Sequence, residues 1–146
     1  MIKKNTLSVF IPIRKGSKRI KNKNTKTLLN FKYGLTEIKI MQLNKFRKIF
    51  KKKFKKIKLE FVVSTDCPKV KKFIHKFSWI KLHRRQKSLS SDDSLPHLIR
   101  FVPNICESYY ILWTHVTSPY FNERDYLDFI GAFLKEKNKK KIQKCI

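Results

Sequence analysis

The chain has 146 residues, enough for one α/β domain with a buried core and too few for two ordinary ones. Its 36 Lys and Arg against 10 Asp and Glu give a formal charge of +26, yet 41% of the residues are hydrophobic and 13% aromatic, which excludes a wholly disordered basic tail. No run approaches the roughly 18 apolar residues of a membrane span, and the apolar piece 7–13 is broken by Pro12, lacks a small-residue cleavage site and runs into Arg14 and Lys15, so a cytoplasmic protein is expected.

In chain order, Leu7, Val9, Ile11 and Ile13 alternate with Ser8, Phe10 and Pro12, a period of two that predicts a strand feeding the basic, glycine-containing stretch 14–24. From Leu35, apolar residues at Ile38, Met41, Phe46, Ile49, Phe50, Phe54 and Ile57 follow a period near 3.6 and predict a long helix, with Gly34 or Thr36 near its start. The lysine-dense run 51–58 falls on its end, where Phe50, Phe54 and Ile57 keep helical spacing, so the run reads as the solvated side of an amphipathic helix. Residues 59–63 are compact and β-branched and predict a second strand. Ser64, Thr65 and Asp66 end it, and Asp66 is expected to cap a helix over 68–77.

Residues 78–82 can form a third strand. Ser90 to Ser94 can cap a helix through Leu95, Leu98, Ile99 and Val102, which Pro96 and Pro103 confine to a few turns, with Asp92 and Asp93 favouring its dipole. Residues 109–116 are almost continuously apolar and bulky and predict a strand in the middle of the sheet. After the turn Thr117-Ser118-Pro119, the residues Tyr126, Leu127, Phe129, Ile130, Phe133 and Leu134 mark a last helix in need of a partner surface, and the basic stretch beyond it has few core residues. The expected organisation is one domain over 1–136 and a basic tail over 137–146.

Strands alternating with helices imply parallel strands joined by right-handed crossovers, hence an α/β fold: a doubly wound three-layer α/β/α sandwich with a mainly parallel sheet. In such sheets ligands sit beyond the carboxyl ends of the strands, here the segments 14–24, 64–66, 84–93 and 115–119. The first of them places Arg14, Lys18 and Lys23 around Gly16 and Ser17. A triphosphate needs cations and exposed backbone N–H groups, and a glycine lets the main chain come close. The spacing is neither that of a Walker P-loop nor Gly-x-Gly-x-x-Gly, and charge alone reads the segment as a solvated basic loop. His75 and His83 read as surface residues, Trp79 and Trp113 as core, and His115, at a strand's carboxyl end, as the histidine to place in a site. Cys67, Cys106 and Cys145 show neither Cys-x-x-Cys nor a neighbouring histidine at ligand spacing, so neither a disulfide framework nor a zinc site is indicated.

The order of residues over 11–24, Ile-Pro-x-Arg-x-Gly-Ser-Lys-Arg-Ile-x-x-Lys-Asn, closely resembles the signature of the cytidylyltransferases that activate acidic sugars, the CMP-N-acetylneuraminate (CMP-sialic acid) synthetase family. The resemblance continues in register. Residues 61–66, Phe-Val-Val-Ser-Thr-Asp, resemble the family's second strand, residues 85–92 its Arg-Pro-x-x-Leu-x-Ser-Asp element, and residues 113–119 its Gln-Pro-Thr-Ser-Pro loop. The chain departs from the pattern at Gln86, at Val116 and at Tyr120-Phe121, where many relatives have Leu-Arg.

The resemblance implies a nucleotide-diphospho-sugar transferase-like fold and an enzyme that transfers CMP from CTP to the anomeric hydroxyl of a 2-keto sugar acid, releasing pyrophosphate and requiring Mg²⁺. By motif position, Arg14, Lys18 and Lys23 would hold the triphosphate, Arg14 and Lys23 as the catalytic pair. Gly16 and Ser17 would add main-chain contacts and Asn24 a polar one. Arg85 and Ser94 would lie at the nucleotide, and His115, Thr117 and Ser118 at the acceptor sugar. Family members continue past this chain's end, and the magnesium-binding aspartates, much of the sugar site and the dimerisation segment are expected there. That leads to the expectation of a C-terminally truncated domain, with weak nucleotide binding, little turnover, apolar faces left uncovered over 126–134, and a homodimer or second polypeptide completing the site. The alternative is a small basic nucleic-acid-binding domain, or an inactive fragment.

Overall fold

The computed structural model of the chain describes residues 3–17 and 20–143, with side chains described for 5–17, 20–91 and 93–137. Strands and helices alternate: β1 (Lys3–Ile13), α1 (Gly34–Lys53), β2 (Lys58–Thr65), α2 (Pro68–Ile74), β3 (Ile80–Arg84), α3 (Leu95–Ile105), β4 (Ser108–Trp113) and α4 (Glu123–Gln143), with 3₁₀ turns at Lys87–Leu89 and Asp92–Ser94. All strand pairs are parallel, in the order β3-β2-β1-β4. The crossovers through α1 and α2 carry the chain from β1 outward to β3, and α3 returns it to the other side of β1. This is the doubly wound arrangement.

The period of two in β1 sets the layers. Leu7, Val9, Ile11 and Ile13 face a core built with α1, α2 and α4, in which Phe46, Phe50, Phe61 and Tyr126 are buried. Phe10 points the other way, where with Val62 it meets Leu98, Val102 and Ile105 of α3. Helices therefore cover both faces of the sheet, giving the expected three-layer α/β/α fold.

Five expectations are corrected. The buried stripe of α1 runs Thr36, Lys39, Ile40, Leu43, Phe46 and Phe50, while Met41 and Ile49 are 49% and 42% exposed. Thr36 and Lys39 count as polar in a periodicity search but lie on the core face, which rotates the stripe away from the one expected. β4 lies at the sheet edge, with β1 its one neighbour among the described residues. Its apolar composition reflects cover on both faces, Tyr110 and Leu112 packing into one core and Ile111 and Trp113 into the other, and such cover says nothing about a strand alongside.

Asp66 does not cap α2. Cys67 holds that position, its N–H donating to Thr65 Oγ1 at 3.1 Å. Nor is α3 capped by a side-chain hydrogen bond from Ser94, whose hydroxyl donates to the Ser91 carbonyl at 2.7 Å. Finally, the 126–134 face is largely covered. Tyr126, Leu127 and Ile130 are buried against α1 and the sheet, and the Phe133 ring meets that of Tyr110 at 5.1 Å, leaving Phe129 exposed.

Gly34 opens α1 at φ +52°, a left-handed conformation, and a Cβ there would lie 2.0 Å from the Lys26 carbonyl oxygen. Gly34→Ala is expected to lower stability by at least about 2 kcal/mol. The check is a lower urea midpoint at unchanged slope, and an unmoved midpoint rejects it. Lys39, 0% exposed, titrates at about 8 instead of 10.5, chiefly because burial strips its ammonium of water, with Asp125 acting weakly the other way. Between those two values the unfolded chain holds a proton that the native chain has released, so stability rises with pH across that window. Urea denaturation on either side of pH 8 tests this: the rise should be absent in Lys39→Met, and an equal rise in both proteins contradicts it.

Candidate functional site

The pairing of β1 with β4 runs as far as Phe10 and Trp113, and Thr114 adds a last bond from its N–H to the Phe10 carbonyl at 3.0 Å. β1 continues alongside β2 to Ile13 and Thr65. Pro12 lies just past the fork, where a residue without an N–H leaves no donor unpaired. Beyond the fork opens a cleft of about 260 Å³, lined by Pro12, Arg14, Ser17, Lys23, Asn24, Arg85, Leu89, Ser91, Ser94, Leu95, Leu98, Trp113, His115, Val116 and Thr117. That volume is below the roughly 300–1,000 Å³ of enclosed small-molecule sites. The cleft sits at the topological switch point, between strands whose connections leave in opposite directions.

The loop after β1 is strapped in place from several sides. Asp66 Oδ1 accepts the Lys15 N–H at 2.6 Å, and Asn24 Nδ2 donates to the Arg14 carbonyl at 3.4 Å. The Asn24 carbonyl accepts both the N–H and the hydroxyl of Thr36, at 3.0 and 2.6 Å, and Lys69 Nζ donates to the Thr25 carbonyl at 2.8 Å. Gly16 supplies the left-handed turn at φ 77°. Asn24 lines the cleft, and its Oδ1 is buried with no hydrogen-bond partner among the described residues.

Arg85 is held by Ser64: Nε donates to Oγ at 3.1 Å and Nη2 to the carbonyl at 2.8 Å. Burial lowers its pKa, Asp66 opposes that, and Arg14 lowers it further. The Ser64 hydroxyl also meets His83 Nδ1 at 3.0 Å, so His83 is a partnered, half-buried residue and not the surface histidine expected. On the opposite wall Trp113 Nε1 donates to His115 Nε2 at 3.0 Å, which places the ring proton of neutral His115 on Nδ1.

Of the residues singled out in the sequence, Arg14, Ser17, Lys23, Asn24, Arg85, Ser94, His115 and Thr117 line this one cleft. Gly16 and Ser118 lie in the flanking loops and do not line it. Lys18 falls outside the described residues, as do the Asp92 side chain and the side chains of 138–146. Trp113, assigned to the core, packs on Phe10 at 4.8 Å and also forms part of the wall. Ser91 and Leu89 line it too. The signal for Trp113 was its position two residues before His115, which puts both on the same side of a strand end.

Among the described residues no three His, Cys, Asp or Glu side chains come together. Asp66, the carboxylate bound to the loop, already accepts from Lys15. These residues do not by themselves form a magnesium site. Among the described residues, too, no helix is long and apolar enough to cross a membrane.

A parallel sheet covered on both faces, with its cleft at the switch point and cations round it, defines a nucleotidyltransferase-like α/β/α domain. Residues 8–144 match the cytidylyltransferase family, and the chain belongs to it: a family of CTP-dependent nucleotidyl transfer. No curated protein matches the chain.

Burial lowers the His115 pKa below its ordinary 6.5, and protonation would put a hydrogen on the nitrogen that accepts from Trp113. In a Trp79→Phe background, Trp113 fluorescence is expected to change as pH falls through a midpoint below 6.5. His115→Ala should abolish that transition, and its persistence there would reject the assignment.

Proposed function

We propose that the cleft binds CTP and that the domain transfers the CMP unit to the anomeric hydroxyl of an acidic 2-keto sugar of the sialic-acid class, with release of pyrophosphate. The observation that carries this reading is convergence. Arg14, Lys23 and Arg85 come from the loops after β1 and β3 and line one cleft, and among the described residues that line it there is no carboxylate. Attack of the sugar oxygen on the α-phosphorus, in line with the departing pyrophosphate, builds negative charge on the nonbridging and leaving oxygens, and cations fixed in advance favour that charge.

On this reading Arg14 and Lys23 hold the triphosphate, and Lys18 joins them by motif position. Gly16 and Ser17 offer main-chain N–H groups. Arg85 and Ser94 form the wall for the nucleoside, and Asn24 adds a polar contact. His115 and Thr117 face the acceptor, where a ring Nδ1–H and a hydroxyl suit the oxygens of a sugar acid. Ser118 shapes that side through its backbone. The lysine run at the end of α1 contributes elsewhere: Phe50 and Phe54 pack together at 4.7 Å beneath it, as in an ordinary amphipathic helix end. That arrangement gives the nucleic-acid reading no particular support.

Calorimetric titration in magnesium buffer should show preference for CTP over ATP. Lys23→Ala and Arg14→Ala should each weaken CTP binding about tenfold or more, the range of a charge-assisted hydrogen bond. Equal affinity for ATP, with binding that collapses in moderate salt and ignores both substitutions, would favour the nucleic-acid alternative. Pyrophosphate release that depends on an acidic 2-keto sugar and not on a neutral hexose tests the acceptor.

A further inference from the structure

Lys39 belongs to none of the sequence motifs, yet its side chain is 0% exposed on the core face of α1. Its ammonium donates to the Ser118 carbonyl at 2.9 Å, the Phe121 carbonyl at 2.8 Å and Tyr126 Oη at 3.0 Å. An ammonium has three donors and no acceptor, and three acceptors surround it here. None is a carboxylate, so the group is held by neutral oxygens, which is unusual for a buried lysine.

The targets matter more than the burial. Ser118 and Phe121 bracket a turn whose intervening Pro119 carbonyl accepts from Gln42 Nε2, one helical turn further along α1, at 2.5 Å. The other end of the segment is tied by Thr114, whose N–H reaches the Phe10 carbonyl at 3.0 Å and whose hydroxyl meets Tyr126 Oη at 2.5 Å. Tyr126 thus joins both fastenings. Between them lie His115, Val116 and Thr117, the part of the segment that lines the cleft.

We infer that Lys39 is a positioning residue: it holds segment 114–121 in the arc that presents His115 and Thr117 to the cleft, and so sets the geometry of the acceptor wall without touching what binds there. The inference rests on the reading of the cleft as the site of CTP and acceptor. The cationic wall is anchored through other contacts, by Asp66, Thr36 and Lys69, so Lys39 acts on one wall and not on the other.

The reporter is Trp113, which lies on the affected wall and bonds to His115. In the Trp79→Phe protein, Lys39→Met should move Trp113 emission to the red and increase its quenching by acrylamide, with the circular dichroism spectrum unchanged. CTP affinity should stay within about threefold of the parent. Unchanged Trp113 emission and quenching in a folded Lys39→Met protein overturns the inference, because a merely structural lysine would lower the melting temperature and leave the wall as it was. A loss of CTP affinity of about tenfold or more overturns it as well, since Lys39 would then serve both walls. The fluorescence readout needs no nucleotide. A parent protein that fails to bind CTP while Trp113 responds to Lys39→Met therefore sinks the CTP reading and leaves the positioning of the segment standing. Should Lys39→Met not fold, Gln42→Leu removes the donor to the Pro119 carbonyl and should move Trp113 in the same direction by less, and an unmoved Trp113 there also overturns the inference.

Discussion

Thr114 gives its N–H to the Phe10 carbonyl, and past that bond β1 and β4 share no ladder. What the rest of the molecule does follows from where this pairing stops. Had it continued, the two strand ends would fill the space now open between Pro12, Trp113 and His115. It stops beside a proline that needs no partner for an N–H, in a sheet whose connections leave β1 and β4 in opposite directions. A parallel sheet wound both ways has such a fork built into it, and chemistry collects there because each neighbouring loop begins at a fixed strand end.

Fixing those loops falls mainly to the first half of α1. Thr36, Lys39 and Gln42 succeed one another at one-turn intervals on the helix. Thr36 holds the Asn24 carbonyl of the loop after β1, while Lys39 and Gln42 hold carbonyls of the segment after β4. One rigid element thus sets both walls, which is what keeps a site near a productive geometry when its residues sit on loops. Asp66 completes the frame. A carboxylate accepting a backbone N–H makes a stronger hydrogen bond than a neutral acceptor would, and here it is spent across the sheet on Lys15 because Thr65 already satisfies the donor at the start of α2.

How much of this could be read from residues alone depended on whether the information was local. The alternation from Leu7 to Ile13 gave β1 and its two faces correctly, because a strand buried on both sides by different helices still has a period of two. The order Arg14, Gly16, Ser17, Lys23, Asn24 located a loop of which Arg14, Ser17, Lys23 and Asn24 line the cleft. Lys39 was illegible. A lysine at a helical position reads as solvent-facing unless one knows that two carbonyls from residues about 80 positions later in the chain will meet it. The edge position of β4 was hidden for a related reason: composition records the helices above and below, while a neighbour in the sheet is set by backbone pairing. The double role of Trp113, packed on Phe10 and exposed to the cleft, depended on β4 ending where it does.

The two walls differ in electrical character. Arg14 and Lys23 on one side and Arg85 behind them place like charges round a small space, and burial first, then Arg14, lowers the pKa of Arg85. Asp66 offsets part of it. An anion entering the cleft would lower the mutual repulsion of these cations. The wall from β4 carries no such field. Burial lowers the His115 pKa and so favours its neutral form, whose Nε2 accepts the indole proton, and Thr117 is a hydroxyl. A neutral wall of directed donors and acceptors discriminates by geometry, and a charged wall attracts by field. Under the proposed reading this division assigns the nucleotide's phosphates to the loop after β1 and the oxygen-rich acceptor to the segment after β4, so the α-phosphorus comes to lie between them, over the fork where the two strands part.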